Sequence, residues 1–176
     1  MAENKKQQPG KYNILFFRLL SKASQGKGRR LALQTEHSLS KSANKNSQAT
    51  KEGPIVQVGS PETNYDFSSI MCIGDPLQED LKKALDNNEL VELWNIYIDP
   101  DDIKDPAAEH KASYAQGYIT DYSESSPSED NVTINYSYAV NLIPQDGTVT
   151  LTLEEAEAIQ YKFRDLEAVT NTETGV

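Results

Sequence analysis

"YNILFFRLL" (12–20) is apolar at almost every position and carries a single charge, Arg18. A strand points successive side chains to opposite faces, so one apolar on both needs cover on both. The segment therefore reads as a strand buried on two sides, which demands a layered structure around it. It is too short to span a bilayer, and Arg18 interrupts it.

Strand signals continue outward from this segment. "RRLALQT" (29–35) alternates through Leu31 and Leu33, and the intervening "SKASQGKGR" is a Gly- and Lys-rich loop. Next comes "TEHSLSKSANKNSQATKEGP" (35–54), small, polar and basic, with almost nothing to bury. By composition it reads as a long surface loop. "PIVQVG" (54–59) and "FSSIMCI" (67–73) are short strand candidates bounded by Gly and Pro.

The period then shifts toward 3.6. In "GDPLQEDLKKALDNNE" (74–89), Leu77, Leu81 and Leu85 fall on one helical face. Asp75 is placed to cap the helix, Pro76 suits its first position, Gln78 stands at the capping-box position, and Asn87 and Asn88 end it.

Strands resume in "LVELWNIYI" (90–98). They are followed by acidic "DPDDIKDPAAEH", whose Pro100 and Pro106 block a continuing ladder. "SYAQGYITDY" places Tyr114, Tyr118 and Tyr122 on one face. "NVTINYSYAV" alternates through Val132, Ile134, Tyr136, Tyr138 and Val140, with "SESSPSED" as the hairpin end between the two. "GTVTLTL" precedes a second helix, where Thr152 and Glu155 have capping-box spacing and Ala156, Ile159 and Phe163 share a face.

The expected fold is mainly β (α+β) in one domain over 1–176. It is an antiparallel β-sandwich or partly rolled barrel with a flanking helix at about 76–87, a short second helix at about 153–163 and an extended loop or arm at about 36–53. Residues 1–10 and 167–176 are expected to be loose.

A net charge of −10 conceals an asymmetry. Residues 1–52 hold 11 Lys or Arg against 3 Asp or Glu, a net +8, whereas residues 53–176 hold 6 against 24, a net −18. Complementary fields of this kind steer association and fix register, so the basic part of one copy is suited to the acidic part of another. The N-terminus has neither the apolar segment nor the small-residue cleavage site of a secretory signal. Cys72, the sole cysteine, excludes an intramolecular disulfide and reads as a buried, inert thiol.

The sequence offers no catalytic constellation, cofactor motif or metal-ligand set. His37 and His110 lack partners at ligand spacing and read as exposed loop residues. The acidic loop fits calcium at Asp99, Asp101 and Asp105, but Lys104 stands where the turn glycine belongs and His110 where the bidentate glutamate belongs. "GKGRR" lacks the P-loop spacing, and no Ser lies in a G-x-S-x-G elbow. An enzyme is the weakest reading.

Taken in order, "ILFFRLL", "LALQTEHSLSKS" leading into "ATKEGPI", "GDPLQEDLKKALDNNELVELW", "YAQGYITDYSESS" and "DGTVTLTLEEAEAIQYKFRD" resemble the major tail protein, or tail tube protein, of long-tailed bacteriophages of Gram-positive bacteria. The ordered set covers about residues 10–165. The resemblance implies a structural virion protein that forms hexameric rings. The rings stack head-to-tail into a tube through which phage DNA passes without sequence-specific binding, and the subunits' sheets join around the lumen. It implies assembly in the host cytoplasm and tape-measure, tail-terminator and distal tail or baseplate proteins as partners, with no membrane. It also implies an arm reaching the next ring, here assigned to Ser40, Lys41, Lys45, Thr50, Lys51 and Glu52. Some relatives carry a C-terminal immunoglobulin-like domain, which this chain is expected to lack. A lumen must let DNA slide, so a cluster of Asp or Glu from residues 53–176 is expected to face it. The alternative reading is a β-sandwich binding module presenting tyrosines and Trp94 to carbohydrate or peptide.

Overall fold

The computed structural model describes residues 5–105 and 107–159. In chain order its elements are β1 (Asn13–Leu19), β2 (Arg29–Arg30), β3 (Gln34–Thr50), β4 (Gly53–Ile70), α1 (Pro76–Asn87), β5 (Val91–Tyr97), β6 (Glu109–Ser125), β7 (Thr133–Val140), β8 (Gln145–Thr150) and α2 (Leu153–Ile159). All strands belong to one antiparallel sheet ordered β2-β1-β5-β6-β7-β4-β3, with β8 also paired to β6. Gly117 pairs with Val91 on one side and Val140 on the other, and Tyr114 then pairs with Gln145. Strands β7 and β8 thus follow one another along the same side of β6.

The sheet rolls up. Strands β5, β6 and β7 separate β1 from β4 in the sheet order, yet the Phe17 and Phe67 rings lie 4.7 Å apart, and Phe67 stacks on Tyr136 at 4.8 Å. Hydrogen bonds help close the roll. The Leu15 amide donates to Gln34 Oε1 at 3.1 Å, the Leu31 amide to the Leu15 carbonyl at 3.3 Å and the Ile70 amide to the Leu33 carbonyl at 3.0 Å. Leu15, Leu93, Tyr65, Ile134 and Tyr138 fill the interior, and α1 packs onto it through Leu77, Leu81 and Ala84.

Strand β1 is buried on both faces, as its composition requires. Leu15 and Phe17 face the interior. Ile14 and Phe16 face a second apolar layer with Ile96, Ile98, Leu151 and Ala156, where α2 packs. Arg18 is accommodated by an ion pair with buried Glu92 (Nε to Oε2, 2.6 Å), by the Trp94 ring 5.2 Å away, and by Tyr114, whose hydroxyl donates to Glu92 at 2.7 Å.

Helix α1 has the expected bounds and cap. Asp75 accepts from the Leu77 amide at 3.0 Å, and Asn88 ends the helix at φ 52°. Thr152 and Glu155 form the reciprocal capping box: the Thr152 amide donates to Glu155 at 2.9 Å and the Glu155 amide to Thr152 at 3.3 Å. Phe163, residues 160–163 of the expected second helix, and residues 1–4 and 167–176 of the expected loose termini lie outside the described residues. Within the N-terminal segment, Lys6 pairs with Asp99 and Asp101.

Several expectations need correction. The strand expected over residues 29–35 stops at Arg30. Leu31 is buried, but Leu33 adopts φ 47° and is exposed, because the chain must turn there to start β3. "PIVQVG" and the first four residues of "FSSIMCI" belong to a single 18-residue strand, β4, while Met71, Cys72 and Ile73 lie beyond its end. Tyr122 does not share a face with Tyr114 and Tyr118. The β6–β7 register shifts between Ile119 and Asp121, and Tyr122 then faces Tyr136 on the inner side. Gln78 leaves the capping-box role and turns inward. His37 and His110 are strand residues, the latter buried beside Val149, and Cys72 is half-buried.

The roll brings β6 and β7 so close at Gly117 that a Cβ there would lie 2.0 Å from the Ala139 carbonyl oxygen. Backbone cannot yield as a side-chain tip does. Gly117→Ala should therefore destabilise the subunit by about 1–3 kcal/mol, read as a lower denaturation midpoint. Gly147→Ala, with open space around it, should leave the midpoint nearly unchanged.

Candidate assembly interface

The polar segment expected as a loop is a β-hairpin. Strands β3 and β4 pair from Gln34↔Ser69 to Thr50↔Gly53, leaving a two-residue turn of Lys51 and Glu52. Strand β7 accompanies β4 only as far as Asn64↔Ala139, so among the described residues the distal part pairs with no other strand. From Ser40 to Thr50 it projects about 35 Å at the usual strand rise. Sequence patterning read 54–59 as a strand but missed β3, because neither face of the distal hairpin enters the core. The backbone ladder holds it together, pairing the peptide groups that face between β3 and β4 and leaving those on the two outer edges to solvent. At the tip, Thr50 Oγ1 donates to the Gly53 carbonyl at 2.6 Å and accepts from the Glu52 amide at 3.3 Å, and Gly53 supplies φ 129°.

All six residues assigned to the arm, Ser40, Lys41, Lys45, Thr50, Lys51 and Glu52, lie on this hairpin and are exposed. Missed were its apolar members, Ile55, Val56 and Val58, which are 54–68% exposed. The signal lay in "PIVQVG" standing opposite a stretch with no apolar run to pack against. Cross-strand partners share a face, so the pairs Lys45↔Val58, Ser47↔Val56 and Ala49↔Pro54 form one apolar and basic face. Asn46↔Gln57 and Gln48↔Ile55 lie on the other. A bulge between Ala43 and Lys45 sets the distal hairpin off from its base.

Below the arm, the outer face of β3, β4, β7 and β6 is lined by short polar side chains in cross-strand rows. One row runs Ser38, Asp66, Ser137, Asp121, and the next Glu36, Ser68, Asn135, Ser123. Ser137 Oγ donates to Asp66 at 2.6 Å, and Ser68 Oγ to Asn135 at 2.7 Å. His37 adds no positive charge near neutrality, because burial holds its pKa below the ordinary value. Its Nδ1 lies 2.7 Å from Gln34 Nε2. At the corner between β7 and β8, Leu142 and Ile143 are exposed.

At the opposite end from the arm, Glu124 accepts from Tyr122 and lies 3.3 Å from Lys82, and these contacts hold its carboxyl below the usual range. Tyr65, Tyr136 and Tyr138 are core residues, and Trp94 is half-buried against Tyr114 and Arg18. Among the described residues no cluster of His, Cys, Asp and Glu forms a metal-binding group, and no helix is long and apolar enough to cross a membrane.

A rolled sheet with a flanking helix and a projecting, partner-free hairpin is the form of an assembling structural subunit, and comparison with known proteins agrees. The phage tail tube protein family matches residues 7–146. A tail protein of Staphylococcus phage phiMR25 is 26% identical over 134 residues, covering 74% of this chain and 69% of its own. The SPP1 tail tube structure superposes with a TM-score of 0.73 at 19% identity, covering 94% of this chain and 96% of that one. The tail of a gene transfer agent particle, refined with C6 symmetry, gives 0.60 at 13% identity over 79% and 98%. A chain of the sheath-tube complex of an extracellular contractile injection system gives 0.54 at 11% over 84% and 95%. The chain belongs to the phage tail tube protein family. It is a structural protein of the virion tail.

Among the described residues, none packs on Val56 and Val58 enough to bury them. Val56→Asp and Val58→Asp should thus leave the unfolding free energy of the isolated subunit within about 0.5 kcal/mol of wild type in chemical denaturation.

Proposed function

We propose that the protein forms rings of six that stack head-to-tail into the tail tube, with the β3–β4 hairpin as the arm that joins one ring to the next. The observation that carries this reading is the projecting hairpin, whose backbone is held by its own ladder while its apolar side chains are exposed among the described residues. A two-stranded hairpin alone is marginal in water, so a second surface would stabilise it. Lateral closure would use the remaining open sheet edges, such as the outer side of β8, which among the described residues pairs with β6 alone. Tape-measure, terminator and baseplate proteins would meet the ends of the stack, assembly would take place in the host cytoplasm, and no step would require catalysis.

The polar outer face of β3, β4, β7 and β6 is the proposed lumen wall. Short Ser and Asn side chains leave it smooth, while Glu36, Asp66 and Asp121 give it negative charge that repels phosphates instead of binding them.

Two experiments test these assignments. Deleting residues 40–48 alone would strip β4 of its partner, so the arm must be removed in register. Excising residues 43–61 and joining Ser42 to Glu62, its cross-strand partner, through Asn-Gly should give a folded subunit that no longer forms tubes in electron micrographs. Tubes of normal length would remove the arm from the assembly. The Asp66→Lys/Asp121→Lys variant should still form tubes, but phage carrying it should eject DNA more slowly, with the defect relieved by added salt. Unchanged ejection would place the lumen on another face.

A further inference from the structure

The two ends of the rolled sheet carry complementary surfaces. The arm leaves one end. The segment joining β4 to α1 and the turn between β6 and β7 lie at the other, because Ile70 pairs with Thr133 and Ser125 with the same residue. At this second end Ile73 is fully exposed, at 103% of its reference area, although its backbone is held in place. Gln78 Oε1 accepts from the Cys72 amide at 2.8 Å, and Gln78 Nε2 donates to the Ile70 carbonyl at 2.9 Å. Gly74 turns the chain at φ 76°, and the Asp75 amide donates to the Cys72 carbonyl at 3.2 Å. A buried glutamine is thus committed to presenting an isoleucine to solvent.

Carboxylates surround this isoleucine in the topology. The Met71 amide donates to the Val132 carbonyl at 2.9 Å, so the turn bearing Glu129 and Asp130 starts beside residues 71–73. Asp75 follows in the chain, and Glu79 and Glu124 belong to the same end. The arm offers the matching chemistry: Val56 and Val58 on one face with Lys45, and Lys51 at the tip.

We infer that the arm of one copy docks on this end of a second copy, with Ile73 packed against Val56 and Val58 and with Glu129 and Asp130 meeting Lys45 and Lys51. The inference rests on the stacked-tube reading and names the acceptor surface for its arm. Apolar contact supplies the attraction, while the charges set register and suppress arm-to-arm pairing, since lysines repel lysines. The contact is head-to-tail, so each docked copy offers the same free end to the next.

Ile73→Asp should leave the subunit's melting temperature unchanged and its rings intact, but raise the protein concentration needed for tube growth at least tenfold. Tube growth like wild type would overturn the inference. Glu129→Lys/Asp130→Lys should weaken stacking at low salt, and adding Lys45→Glu/Lys51→Glu to the same chain should restore it; failure to restore would also overturn it. A third measurement does not depend on tubes. Val56→Cys/Cys72→Ser chains mixed with wild-type chains carrying a longer tag should yield the mixed pair with a short bis-maleimide, through native Cys72 beside Ile73. Mixed pairs without tubes would retain the docking and defeat the tube reading, whereas tubes without mixed pairs would do the reverse.

Discussion

Closure of the sheet through the aromatic stack of Phe17, Phe67 and Tyr136 is the contact on which the rest of the architecture depends. It joins β1 to β4 across three intervening strands and so turns a two-faced sheet into one with an inside and an outside. Burying a Phe side chain contributes about 1.5–3 kcal/mol, and the offset rings add specificity of geometry. With the roll closed, α1 has a fixed site on the interior and α2 a fixed site on the opposite face of β1. Strand β4 is also fixed at its base. That base sets the direction of the hairpin projecting beyond Asn64.

The sequence made the buried parts legible and the projecting part illegible, for one physical reason. Residues 76–87 were readable as a helix because capping and the Leu77, Leu81, Leu85 stripe report on the same local geometry. Strand β7 was readable because Ile134, Tyr136 and Tyr138 face a core. Residues 35–54 carry no such imprint. Their strand geometry comes from backbone pairing and from the Thr50–Gly53 turn, which side-chain periodicity does not record. The misplaced Tyr122 has a different origin: one extra residue near Thr120 rotates the remainder of β6, and period-two counting has no means to detect it. The residues assigned to the arm, Lys45 and Lys51 among them, lie on the projecting hairpin, whereas the apolar residues opposite them, Val56 and Val58, read only as part of a short strand.

Placing apolar residues on the arm has a cost that the rest of the chain offsets. A subunit with exposed valines and open strand edges invites uncontrolled pairing. A net charge of −10 opposes contact between copies, and the charge is distributed unevenly, with Lys41, Lys45 and Lys51 on the hairpin and Glu124, Glu129 and Asp130 at the far end, where Lys82 also lies. Two copies approaching arm to arm, or far end to far end, meet like charges, whereas approach head-to-tail brings opposite ones together. The asymmetry along the chain therefore selects polarity, which a tube needs and a closed two-fold dimer would prevent.

Polarity alone does not close a ring, and the two tasks fall on different parts of the molecule. Head-to-tail docking as proposed would involve side chains on a projecting hairpin and on turns, where substitutions leave the core untouched. Ring closure, if it uses the open sheet edges, involves backbone groups whose positions follow from the roll. A change in the interior, such as a Cβ at Gly117, would therefore disturb closure by moving strands, while a change at Ile73 would disturb only stacking. Separating the two would permit the subunit to fold before either interface is occupied, and it would make tube length a property of what caps the stack instead of a property of the subunit.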